Sequence, residues 1–86
     1  MNINELIKIV KNKLEAKIVI QDLKIEDKSF LHKNHKGNQE GMFHLKLIIK
    51  SDELKKLNKI ESTKKIYNIL DHELKEHIHS IQILLS

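Results

Sequence analysis

The chain has 86 residues, of which 40% are hydrophobic and 33% charged, and a net charge of +4. It has no Cys, which excludes disulfides and thiolate ligands, so a metal site has to draw on His, Asp or Glu or borrow ligands from a partner. No apolar run approaches a membrane span, and the N-terminal Met1–Lys8 stretch has no signal-peptide core, so one cytoplasmic domain over residues 1–86 is expected.

All 16 basic residues are Lys. Lysine attracts phosphate as a point charge but cannot make the bidentate arginine contact to guanine. An A/T-rich genome would supply the same abundance of Lys, Ile and Asn, so the basic balance alone does not assign a nucleic-acid partner.

In chain order, residues 3–15 read as a helix, with Ile3, Leu6, Ile7, Val10 and Leu14 on one face and Asn2 with Glu5 as a capping box. Residues 17–26 read as a strand in which Ile18 and Ile20 take one parity and Val19, Leu23 and Ile25 the other. That switch suggests a twist, a bulge or a first half covered on both faces. A polar connection from Asp27 to Gly41 follows; it holds both glycines, and a connection of that length is often functional. Residues 42–50 alternate cleanly as a second strand, Phe43, Leu45, Leu47 and Ile49 inward and His44 outward. Ser51 caps a short helix bearing Leu54 and Leu57, and Asn58 with Glu61 opens another that runs to about Lys75. On it Ile60, Thr63, Tyr67, Leu70 and Leu74 trace the apolar face, widened by Ile66 and Ile69. Residues 78–84 read as the last strand, with His79 sharing the parity of Ile81 and Ile83 and so facing the helices. The order αββααβ predicts an α+β fold, a three-stranded mixed sheet with helices on one face, the last strand parallel to the second.

No nucleophile–base motif, phosphate-binding Gly-rich loop or His-Glu-x-x-His is present, and His72-Glu73 is followed by Lys75 and Glu76; an enzyme is not expected. His32 and His35 stand three apart in the connection, where imidazoles could ligate a borderline metal. Polar loops also accumulate His without function, and a strand-end His such as His79 ordinarily hydrogen-bonds a carbonyl or carboxylate. His72 and His77 read as surface residues.

Several anchors occur in a fixed order. Asp27, Ser29, His32, His35 and Gly37 fit Asp-x-Ser-x-x-His-x-x-His-x-Gly. Gly41 to Leu45, with His44 before Leu45, fits the end of that loop. Ile49-Lys50-Ser51 with Leu54, Ile66-Tyr67 with Leu70, and Ile78-His79 with Ile81 complete the set. By these residues the chain resembles the BolA-like proteins over nearly its whole length. The resemblance implies an αββααβ fold related to the type II K-homology domain. It also implies pairing with a monothiol glutaredoxin and a shared [2Fe-2S] cluster. The glutaredoxin side supplies its Cys and a glutathione thiolate; the BolA side supplies the C-terminal His and a Cys or His of the long loop. With no Cys, this chain resembles the His subgroup, which makes His79 one ligand and His32 the other, with His35 as the alternative to His32. The isolated chain is then expected to be cluster-free, a monomer or weak homodimer.

The chain departs from the family pattern at Ser62-Thr63-Lys64, where an Arg-His-Arg run is common, at Leu54, which replaces an aromatic residue, and at Lys55-Lys56, where a Gly is common. These positions touch the basic helical surface. A nucleic-acid-binding domain using Lys55, Lys56, Lys59, Lys64 and Lys65 is the competing reading, with DNA as its partner. An RNA clamp of the K-homology type needs Gly-x-x-Gly between the helices, where this chain has Lys55-Lys56-Leu57-Asn58. Stacking aromatics are scarce: Tyr67, Phe30 and Phe43.

Overall fold

The computed structural model describes residues 1–29 and 42–86. Seven elements follow one another: α1 Ile3–Lys17, β1 Asp22–Asp27, β2 Phe43–Lys50, α2 Asp52–Lys55, α3 Lys59–Ile69, α4 Asp71–Glu76 and β3 Ile78–Leu85. The sheet order is β1-β2-β3, with β1 antiparallel and β3 parallel to the central β2. The expected three-stranded mixed sheet is therefore present. The α3 and α4 segment supplies the crossover that a parallel β2–β3 pairing requires.

Side-chain caps set three helix starts. The Glu5 amide donates to Asn2 Oδ1 (2.9 Å), the Leu54 amide to Ser51 Oγ (3.2 Å) and the Glu61 amide to Asn58 Oδ1 (2.8 Å). Each meets one of the amides that a helix start leaves without an internal acceptor. The core lies between the helices and one sheet face. Leu6, Val10 and Leu14 of α1 meet Leu45, Leu47 and Ile49 of β2, with Leu54, Ile66, Leu70 and Ile78 closing the ends.

Three sequence-based boundaries or faces change. First, α1 continues to Lys17 and β1 begins only at Asp22, so Ile18, Val19 and Ile20 are connection rather than strand. Ile18 is buried as the helix cap, while Val19 is 65% exposed. The connection is tied to α2 by its backbone: Ser51 Oγ donates to the Val19 carbonyl (2.8 Å), and the Val19 amide donates to Glu53 Oε1 (3.3 Å). The parity switch thus marks a helix-to-strand connection, not a bulge in a strand. Second, the helix expected to reach Lys75 breaks at Leu70 and resumes as α4. Third, α3 is rotated. Ser62, Ile66 and Leu70 are buried, while Ile60 and Tyr67 are 68% and 43% exposed. Buried Ser62 is satisfied locally, its hydroxyl donating to the Lys59 carbonyl (3.0 Å), which lets a small polar residue occupy a core position.

Candidate functional site

The candidate site begins at an irregularity between β2 and β3. Phe43 pairs with Ile78, but the next residue, His44, pairs with Ser80. His79 is the extra residue, so two positions on β3 oppose one step on β2, the geometry of a β-bulge. The bulge shifts side-chain parity along β3. Ile78 is buried before it and Ile81 and Ile83 pack on the core after it, while His79 itself is exposed. The sequence expectation that His79 faces the helices is corrected here. It assumed unbroken alternation, which the extra residue interrupts.

His44 is corrected in the opposite sense. It stands on the sheet face away from the helices, yet it is only 5% exposed. Its Nδ1 lies 2.6 Å from Ser80 Oγ, a hydrogen bond whose donor depends on the imidazole tautomer. The ring centroids of His44 and His79 are 4.9 Å apart at an interplanar angle of 51°. An exposed imidazole thus rests against a buried one that is fixed by the neighbouring strand residue. Sequence reasoning missed His44 as part of the site. The available signal was Ile78, an apolar residue one position out of phase with Ile81 and Ile83.

The start of the long connection is anchored at the same place. The Ser29 amide donates to Asp27 Oδ1 (2.9 Å), closing an Asx turn. The His44 amide donates to Ser29 Oγ (3.1 Å), and the Lys28 amide donates to the His44 carbonyl (2.7 Å). The Asp-x-Ser motif therefore ties the chain leaving β1 to the chain entering β2 at His44, the residue whose ring packs against His79. His32 and His35 lie outside the described residues. His32 follows Ser29 by three residues, a contour of about 10 Å at full extension. Among the described residues no group of three or more His, Cys, Asp or Glu side chains could hold a metal ion.

The other histidines and the lysines are placed elsewhere. His72 and His77 pair edge to face at the α4 end, with centroids 6.0 Å apart. Lys55, Lys56, Lys59 and Lys64 are exposed on α2, the turn and α3. Lys65 is engaged instead, its Nζ donating to Glu53 Oε2 (2.8 Å). That hydrogen bond, followed by the Val19 amide, holds the Glu53 carboxyl below its ordinary value.

Known proteins agree with this architecture. The BolA domain of SufE1 from Arabidopsis thaliana superimposes with a TM-score of 0.78 at 27% identity, covering 100% of this chain and 93% of that one. BolA1 from the same plant gives 0.76 at 26% identity, covering 90% and 85%. In sequence, the chain is 30% identical over 77 residues to the DNA-binding transcriptional regulator BolA of Haemophilus influenzae, spanning 90% of this chain and 72% of the relative. It is 29% identical over 80 residues to the chloroplastic/mitochondrial SufE-like protein 1 of Arabidopsis thaliana, of which it spans 22%. The sequence pattern of the BolA-like proteins matches residues 14–86, and the chain belongs to the BolA-like family.

Proposed function

We propose that the chain is a cytoplasmic adaptor that pairs with a monothiol glutaredoxin and co-ligates a [2Fe-2S] cluster, in iron–sulfur cluster trafficking or iron-linked regulation. The observation carrying this reading is exposed His79 on its bulge, packed on buried His44 and adjoining the anchored start of the connection that bears His32 and His35. His79 is the first ligand and His32 the second, with His35 as the alternative; the glutaredoxin Cys and a glutathione thiolate complete the set. The donor chemistry fits. Neutral imidazoles bind iron, and replacing two thiolates with imidazoles on one iron raises a cluster's potential. The exposed ring of His79 is open to another protein, and buried His44, hydrogen-bonded to Ser80, packs against it.

The test mixes the purified chain with a cluster-loaded monothiol glutaredoxin and follows visible circular dichroism and size. The expected result is a new spectrum and a heterodimer. An unchanged spectrum with two separate species would refute the pairing.

A second reading rests on the name of the Haemophilus relative, a DNA-binding regulator, together with exposed Lys55, Lys56, Lys59 and Lys64. Lys65, held by Glu53, contributes least to it. DNA affinity that persists at physiological salt and depends on sequence would support this reading. Affinity that collapses with salt would mark lysine–phosphate attraction alone.

A further inference from the structure

Two imidazoles at the junction of α4 and β3 stand outside the site described above. His72 is exposed in the first turn of α4, and His77, half-buried, is its C-cap. Their ring centroids are 6.0 Å apart, with the planes at 75°. Neither ring makes a hydrogen bond or ion pair among the described residues. The His44–His79 pair differs, because buried His44 is committed through Nδ1 to Ser80. The backbone that carries His72 and His77 is fixed. The His77 amide donates to the Glu73 carbonyl (2.8 Å), and the His77 carbonyl accepts from the Phe43 amide (2.9 Å). Between the two histidines, buried Glu73 is held by Lys13.

We propose that His72 and His77 form a binding site for a borderline divalent cation such as Zn²⁺, separate from the His79 site. Neutral imidazole is a common ligand for such ions, at a metal–nitrogen distance of about 2.0–2.1 Å. With a ring radius of about 1.1 Å added, each centroid sits about 3.2 Å from the ion, so two imidazoles on one ion have centroids up to about 6.4 Å apart. The observed 6.0 Å lies within that reach. A tetrahedral angle needs about 5.2 Å, a closure of under about 1 Å that rotation of the exposed His72 ring provides. Local charge also favours a cation. In a chain of net charge +4, α4 carries Asp71, Glu73 and Glu76 against Lys75 alone. Lys75 pairs with Asp71 and Lys13 with Glu73, which leaves Glu76, next to His77, as the unpaired carboxylate of α4 among the described residues. No third His, Cys, Asp or Glu side chain joins the pair among the described residues, so the protein supplies two ligands and water fills the remaining positions. An all-imidazole donor pair suits zinc, copper(II) or nickel and not magnesium. A bound ion ties the first turn of α4 to its C-cap and stabilises the native chain by linkage.

The experiment titrates Zn²⁺ into the full chain, followed by calorimetry, the unfolding midpoint and the imidazole proton resonances. As His32, His35 and His79 are also imidazole donors, the titration is repeated in a His32→Gln/His35→Gln/His79→Ala background. In that background one equivalent should bind, shift the His72 and His77 resonances together and raise the midpoint, while Mg²⁺ does none of these. Changes to groups that merely support a metal ligand already cost 10–100-fold in affinity, so adding His72→Gln or His77→Gln should weaken binding by at least about tenfold. His72 is exposed, so its replacement tests the site without disturbing the core. No zinc binding up to millimolar ion, or binding that His72→Gln leaves unchanged, would overturn the proposal. The site does not depend on the cluster reading, whose three candidate ligands are absent from that background.

Discussion

At the scale of single residues, His79 and His44 divide exposure and support between them. His79 is exposed and should contribute little to stability, so His79→Ala should shift the unfolding free energy by no more than about 0.5 kcal/mol. Ser80→Ala removes the hydrogen bond to buried His44 and should cost about 1 kcal/mol in denaturant unfolding. If the two variants lose equal stability, the division of labour is wrong. Glu53 provides a pH signature. Its carboxyl is held below its ordinary value of 4.5, chiefly by Lys65. A depressed carboxylate contributes stability that is fully present above the unfolded-state value and is lost as pH falls through the lower folded one. Acid unfolding should therefore be less steep for Glu53→Gln than for the native chain in that window. Parallel acid-unfolding curves would show that the contact with Lys65 does not contribute.

At the scale of elements, the parts written locally were legible. Asn2, Ser51 and Asn58 each announce a helix start by the chemistry of a short oxygen-bearing side chain, and all three caps form. Asn58→Ala should cost about 1 kcal/mol, read from the thermal or denaturant midpoint. β2 was legible because Leu45, Leu47 and Ile49 alternate without interruption. What failed depends on pairing between elements. Ile18-Val19-Ile20 can serve a strand or a connection, and the choice is made by Ser51 and Glu53, more than thirty residues away. The α3 face was misread because Ser62 satisfies itself on Lys59 and so can be buried, leaving Ile60 and Tyr67 outside. The bulge at His79 exists only in the register of β3 against β2. His79 could therefore be singled out from the sequence, but neither its orientation nor its contact with His44 could. The Asp27-Ser29 motif was visible as a pattern; its work, tying β1 to β2, appears only in three dimensions.

At the scale of the whole molecule, the helical layer is clamped to itself by an ion pair. Lys13 Nζ of α1 lies 2.9 and 2.7 Å from the two carboxylate oxygens of Glu73 on α4, which is 3% exposed. Removing the lysine leaves a buried carboxylate without its charged partner. Lys13→Met should cost about 1–3 kcal/mol, while the Lys13→Met, Glu73→Leu double variant should recover much of the loss. Additive losses across that pair would rule out the clamp. The clamp sits on the helix layer, whereas His79, His44 and the start of the long connection meet at one end of the β2–β3 pairing. Architecture and candidate chemistry are thus held by separate contacts, and the site can be altered without unfolding its frame.

That separation makes one measurement decisive for the adaptor reading. Cluster-loaded monothiol glutaredoxin is titrated with the native chain and with His79→Ala, and the visible circular dichroism is followed to saturation. The native chain should produce a new spectrum. His79→Ala should leave the glutaredoxin spectrum unchanged while keeping the native unfolding midpoint. A variant that folds normally and still produces the native-complex spectrum would contradict the assignment of His79 as a ligand.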